Sequence, residues 1–305
     1  MKKFLVLLLV FGLSGSVFCR EINTEEETGE AGAACAYLKT GVGSRALSMG
    51  SAFTAVSNDA TATYWNPAGI TKLDKNQVAL MYTAMSLDRS YNFGSFVMPK
   101  KLAFVDGLGI SIIHTGVNDI QGYDENNYKT NTFNETNFAS LISLAKRVDD
   151  EISVGGNLKL LYSSLDDQSA IGAGLDLSAI IELSEKLNLG LMFQDIYTAL
   201  YWSDSEYTAR TPFVVKAGCV YSLLKNDRLK LAADVEKFST RKRAKLNFGA
   251  ELNLPYNVSI RTGLADNFLT AGAGIKFGML GLDYCYRADK LKSGDTNQIT
   301  LIIAF

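Results

Sequence analysis

From residue 77 to the end of the chain, apolar residues recur at every second position in segment after segment, and a period of two belongs to extended strand rather than helix. Fourteen such segments fall near 77–86, 90–98, 107–116, 137–146, 151–163, 170–183, 188–198, 212–222, 228–238, 245–254, 257–265, 268–278, 280–288 and 297–305. Most have about the 9 to 11 residues that a tilted membrane strand requires. In one of them Ile152, Val154, Leu158, Leu160 and Tyr162 share a face, while Ser153, Asn157, Lys159 and Ser163 share the other. Leu246, Phe248, Ala250, Leu252 and Leu254 likewise oppose Lys245, Asn247, Glu251 and Asn253. A soluble sandwich also alternates, so the period alone leaves open whether the apolar face meets a core or lipid.

The connectors separate the two readings. If both ends of the strand region are periplasmic, the outer connectors are the long polar ones, 117–136, 199–211, 239–244 and 288–297, and most inner ones are tight turns, such as 184–186, 223–226, 255–256 and 278–279. A sandwich has no reason to sort its loops in this way, whereas a membrane barrel does. The expected fold is all-β, a transmembrane antiparallel β-barrel of about fourteen strands. Four prolines, 26 glycines, 16 Phe and 14 Tyr suit strands that bend and carry aromatic belts. Beyond the N-terminal region no apolar run approaches the ~20 residues of a spanning helix.

Both ends of the chain point to export. Met1-Lys2-Lys3 followed by the apolar run 4–13 and the small residues Ser14, Gly15 and Ser16 has the layout of a signal peptide, expected over 1–19. Cleavage is placed after Ser16 or near Cys19; acylation of Cys19 is a second reading, with bulky Phe18 before it against that reading. Loss of Lys2 and Lys3 leaves a mature net charge of about −4, and nothing in the chain suggests nucleic acid. At the other end Ile299, Leu301, Ile303 and Phe305 line one face against Gln298 and Thr300. A terminal strand closing on Phe305 looks like the assembly signal of a client of the outer-membrane barrel assembly machinery. The expected location is the outer membrane of a Gram-negative-type bacterium, with outer-membrane lipid around the wall.

Residues 20–36 read as a flexible acidic leader containing Glu25, Glu26 and Glu27, residues 37–76 as a head segment and 77–305 as the barrel. The head contains Gly41-Val42-Gly43-Ser44-Arg45, then Met49-Gly50-Ser51-Ala52-Phe53, Asn58-Asp59-Ala60 and Trp65-Asn66-Pro67-Ala68-Gly69. Together these resemble the N-terminal signature of the PorV/PorQ family, relatives of the FadL-type outer-membrane proteins. The resemblance covers residues 37–70. It implies a fourteen-stranded barrel whose N-terminal segment tucks inside as a hatch, and cargo that is either a hydrophobic small molecule or, through a secretion and surface-attachment machine, secreted proteins. A purely structural outer-membrane protein is a third reading. Within the hatch, Arg45 and Asp59 are expected to anchor it to lumenal charges rather than to touch cargo. Asn66-Pro67-Ala68 is expected as a capped turn beside Trp65 where hatch meets barrel.

Catalysis finds little support. The one histidine, His114, lies in a predicted strand of apolar and small residues, no Gly-x-Ser-x-Gly nucleophile motif is present, and no His or Cys cluster has metal-ligand spacing. No cofactor is expected. Asp124-Glu125 and Asp166-Asp167 are acidic loop pairs that suit a solvated surface better than calcium. The inward-facing charges are the better candidates: Lys159, Asp176, Lys216, Asp234, Glu236, Lys245, Glu251, Arg261, Lys276, Asp283 and Arg287, expected as a salt-bridged wall supporting the hatch rather than an ion filter. The basic turn Arg241-Lys242-Arg243 reads either as a contact to anionic lipid or as a solvated turn. In the same register Cys219 faces lipid and Cys285 the lumen, which argues against a bond between them.

Overall fold

The computed structural model describes residues 34–85, 89–224, 228–288 and 296–305. The signal and cleavage-site expectations, and nearly all of the leader, lie outside these residues. Sixteen strands form one sheet: β1 Gln77–Ala84, β2 Arg89–Met98, β3 Gly107–Tyr123, β4 Lys129–Arg147, β5 Ile152–Leu165, β6 Gln168–Ser184, β7 Leu187–Gln194, β8 Ala199–Trp202, β9 Tyr207–Arg210, β10 Val214–Leu223, β11 Leu229–Phe238, β12 Lys245–Asn253, β13 Val258–Ala265, β14 Phe268–Phe277, β15 Leu280–Arg287 and β16 Thr296–Ala304. Fourteen of them make a closed antiparallel barrel. Closure comes from β1 pairing with β16 along its whole length, Gln77 opposite Ala304 and Ala84 opposite Asn297, and from β5 pairing with β6. Even the last residue takes part, since the Phe305 amide donates to the Asn76 carbonyl at 2.9 Å. A closed ladder leaves no open edge for lipid to meet, the condition for a sheet in hydrocarbon.

The other two strands, β8 and β9, form a hairpin that the periodicity misses. β8 pairs with the first part of β6, Ala170 opposite Trp202, whereas β7 pairs only with the last part, from Leu177 onward. The sheet order therefore ends on β9, whose second edge has no strand partner among the described residues. β3 and β4 also run on through the segment read as a loop, with 17 and 19 residues. At about 3.3 Å per residue they outreach the ~30 Å hydrocarbon layer, so their outer halves stand in water, where neither face needs to be apolar.

Alternation sorts the wall as expected. Leu80, Tyr82, Ile110, Ile112, Leu158, Leu160, Leu246, Phe248, Leu282 and Ile299 point outward and stay exposed, forming a continuous apolar belt. Such a belt is far larger than water-soluble surfaces tolerate. Where the termini of the barrel lie, an exposed apolar side chain sits at or beside each turn: Phe104, Val148, Leu183, Leu224, Tyr256 and Met279, with Phe305 beside them. These mark one interface of the membrane. The opposite end carries the long connections and the hairpin.

Below the long-connection end the inward rows enclose protein. They pack against the N-terminal segment, which holds helices α1 Ser44–Ser48 and α2 Ala62–Trp65 and short 3-10 turns at Ala36–Lys39 and Pro67–Lys72. Val42, Ala46, Met49, Ala52, Phe53, Ala60, Ala62 and Ile70 are all fully buried. Small residues on both sides allow this close approach. Gly249 and Gly263 are paired across β12 and β13, and a side chain at Gly263 would begin 2.1 Å from the Gly50 nitrogen. Gly50 itself has φ +65°, and a Cβ there would meet the Phe248 carbonyl oxygen at 2.5 Å.

Gly263→Val is therefore expected to unseat the segment and to cost at least about 3 kcal/mol in denaturant unfolding. Gly94→Ala, whose new methyl would lie 3.6 Å from Leu80, should stay within about 0.5 kcal/mol of the parent.

Candidate functional site

Two chains of buried charge hold the N-terminal segment to the wall. In the first, the Arg45 guanidinium, carried on α1, grips Glu251 of β12 with a fork, Nε to Oε2 at 2.7 Å and Nη2 to Oε1 at 2.8 Å. Its third nitrogen donates to Asp59 Oδ2 at 3.0 Å and Asn58 Oδ1 at 2.7 Å. Glu251 is shared with Arg261 of β13 at 2.7 Å, and Arg261 reaches Asp283 of β15 at 2.6 Å. Asp59 is fixed in turn by the Thr61 amide and hydroxyl, at 2.9 and 2.5 Å. Arg45 also lies 5.3 Å from the Phe53 ring centroid. The fork geometry is one that Lys cannot copy.

The second chain is Lys39–Asp195–Lys159–Asp176. Lys159 of β5 donates to Asp195 at 2.7 Å and Asp176 at 2.8 Å, and Lys39 of the N-terminal segment pairs with the other oxygen of Asp195. Asn157 links Asp176 to the Thr63 carbonyl at 2.9 Å. Asp195 stands just beyond β7 at φ +60°. Burial pushes its carboxyl up, but Lys159 and Lys39 more than offset this and hold it well below the usual carboxylate range.

The remaining expected residues take narrower parts. Asp234 Oδ2 accepts the backbone amides of Phe53 and Thr54, at 3.0 and 2.9 Å. Glu236 pairs with Lys216 at 3.1 Å, and Lys216 lies over the Trp65 ring, 5.2 Å from its centroid. The Trp65 indole donates to the Val42 carbonyl at 2.8 Å. Asn66 caps the 3-10 turn that Pro67 opens, accepting from Ala68 N at 3.2 Å and donating to the Thr54 and Ala179 carbonyls at 2.8 and 3.1 Å. Arg287 is half-buried at the long-connection end of β15, while Lys276 is exposed near the other end of β14. His114 stands on the outward row of β3, its ring 4.6 Å from Phe138. Asp124 spends a carboxylate oxygen on the amides of Asn126 and Tyr128 in its own turn, at 2.9 and 2.8 Å. Cys35, Cys219 and Cys285 are free thiols.

Above the charged seats, at the long-connection end, the barrel opens into a vestibule of about 1630 Å³. Cys35, Tyr37, Thr40 and Asp195 form its floor; Met85, Tyr91 and Leu165 stand on the wall; Leu200, Trp202 and Phe213 close the side on which the β8–β9 hairpin lies. The floor is tied down by Tyr37 to the Phe138 carbonyl at 3.3 Å and by Tyr64 to the Leu38 carbonyl at 2.7 Å. Sequence reading missed Lys39, Asp195 and the hairpin side of the vestibule, because Asp195 falls at the end of a periodic segment and its partner is 156 residues away.

Arg45→Ala leaves Glu251 and Asp59 buried with one cation fewer, and should cost about 3 kcal/mol in denaturant unfolding, with Arg45→Lys recovering only part. The Asp195 carboxyl titrates lower in the folded chain than in the unfolded one. Its stabilisation is thus complete above the unfolded value and fades as pH falls toward the folded one. Between roughly pH 5 and 2 the parent should lose stability more steeply than Asp195→Asn, as followed by denaturant midpoint.

The profile of an uncharacterised protein family (UPF0164) matches residues 14–176, more than half of the chain. No curated protein matches the sequence. Similar solved structures include the toluene transporter TodX of Pseudomonas putida, at 13% identity and TM-score 0.60, over 87% of this chain and 97% of that one. The toluene transporter TbuX of Ralstonia pickettii is similar at 14% identity and TM-score 0.59, with the same coverage. A FadL homologue of Pseudomonas aeruginosa follows at 12% identity and TM-score 0.52, over 83% of this chain and 95% of that one. At these identities the likeness is one of fold.

Proposed function

The chain belongs to the uncharacterised protein family UPF0164, and we propose that it passes hydrophobic small molecules across the outer membrane of a Gram-negative-type bacterium, without chemistry. The observation that carries this reading is the vestibule, a chamber in which Tyr91, Leu165, Leu200, Trp202 and Phe213 stand among polar groups such as Arg89, Glu135 and Arg210, open at one end of a barrel whose lumen below is filled with protein. Sites for apolar ligands have this character, a largely apolar concave wall with a few polar groups. The names of the similar barrels, toluene transporters and a FadL homologue, agree with it.

In this reading the long-connection end faces outward, Phe305 serves the assembly machinery, and the N-terminal segment acts as a hatch. Cargo loads from outside onto the floor formed by residues 35–40. It then passes either by displacement of the hatch or sideways at the discontinuity where β6 leaves β7 and the free edge of β9 begins. The charged seats are structural in both routes. A PorV/PorQ-type role as partner of a secretion machine rests on the head signature, and co-purification of secreted proteins from native membranes tests it.

The chain's two tryptophans make the loading step measurable. Trp202 lines the vestibule, whereas Trp65 is buried in the hatch. A brominated hydrocarbon should quench the fluorescence of a Trp65→Phe barrel and leave that of a Trp202→Phe barrel nearly unchanged. Equal quenching of both, or of neither, would sink the vestibule as the loading site.

A further inference from the structure

The β11–β12 turn holds two exposed cations, Lys242 and Arg243, that belong to neither of the charged chains. From Lys237 to Lys245 the chain reads Lys-Phe-Ser-Thr-Arg-Lys-Arg-Ala-Lys, five cations without an acid. The other turns at this end are of opposite sign where they are described. Asp124 and Glu125 lie between β3 and β4, Asp166 and Asp167 between β5 and β6, Asp204 and Glu206 at the tip of the β8–β9 hairpin, and Asp266 between β13 and β14.

Lys237 shows where these charges stand relative to lipid. It occupies the outward row, opposite Val215 in the ladder and two residues beyond the exposed Val235. Two residues of strand span about 7 Å, which is about the depth of one headgroup layer. Its ammonium donates to the carbonyls of Arg241 and Lys242, the second at 2.8 Å, and this folds the turn over the outer face of the wall. Arg241 and Lys245 go the other way, 5.8 and 4.8 Å from the ring centroid of the inward Phe238. Lys242 and Arg243 remain exposed at the lip of the turn, with no acidic partner among the described residues.

We propose that this turn binds the phosphate groups of anionic lipid in the surrounding leaflet. Arg243 supplies a planar fork suited to phosphate oxygens and Lys242 a second, more mobile charge. Lys237 is the positioning residue, holding the turn at headgroup depth through the two carbonyls. Attraction to anionic lipid is strongest at that depth and falls off within a Debye length in solution. The assignment is independent of what the vestibule carries.

Native mass spectrometry of the full barrel from mixed micelles tests it, with phosphatidylglycerol and phosphatidylcholine as the probes. The parent should retain phosphatidylglycerol roughly fivefold better than phosphatidylcholine, and Lys242→Ala with Arg243→Ala should bring the two level. Both positions lie in an exposed turn, and heat-modifiable migration confirms that the variant still closes its barrel. Lys237→Met should reduce the preference in part, and Lys100→Ala with Lys101→Ala, at the opposite end, should leave it intact. An unchanged preference in the double variant, an equal loss in the opposite-end variant, or displacement of the lipid by inorganic phosphate at matching concentration would each overturn the proposal.

Discussion

A lumen packed with protein cannot hydrate the charges that its wall turns inward, so each of them has to meet a counter-charge or an oriented amide. The rest of this barrel is arranged around that requirement. Arg45, Glu251, Arg261, Asp59 and Asp283 form one alternating chain, and Lys39, Asp195, Lys159 and Asp176 a second. Asp234 takes two backbone amides instead of a cation. Such pairs add little net stability over an apolar core of the same volume, because desolvation consumes most of what attraction gains. Their value here is in specification. A barrel strand apolar on both faces could settle with either face toward lipid, and a one-residue slip exchanges the faces. Ionised residues on one row remove that ambiguity, since lipid rejects them.

The same reasoning accounts for how the charged side chains divide between lumen and rim. Lys39, Lys159 and Asp176 are consumed in holding the floor with Asp195, and the chamber above presents Tyr91, Leu200 and Trp202 together with Arg89, Glu135 and Arg210. Lys242 and Arg243, exposed and outside both chains, stand on the β11–β12 turn.

How much of this could be read from residues alone varied with distance along the chain. The fourteen wall strands were legible because lipid on one side and protein on the other impose a period of two, and Lys159, Glu251 and Arg261 fell on the inward row for that reason. The outer halves of β3 and β4 were not, because beyond the membrane water lies on both sides and residues such as Asp119 and Thr132 follow no alternation, although the ladder continues. The β8–β9 hairpin is only four residues a side and was hidden likewise. Arg45 and Asp59 stood out within a compact head motif. Which inward acid receives Arg45, and that Lys39 meets Asp195, depend on how the segment lies in the closed barrel, and no local spacing encodes that.

The N-terminal segment runs down the lumen from Cys35 in the vestibule floor to Gln77, where β1 begins at the opposite end. The chain is therefore threaded through a ring made from its own later residues. A thread in a ring constrains the order of construction. Arg45 reaches Glu251 most simply while the sheet is still an open, curling ribbon, with the segment condensing on it before the last strand arrives. Pairing of β16 with β1 then acts as a clasp, closing the wall around a segment already seated on its contacts.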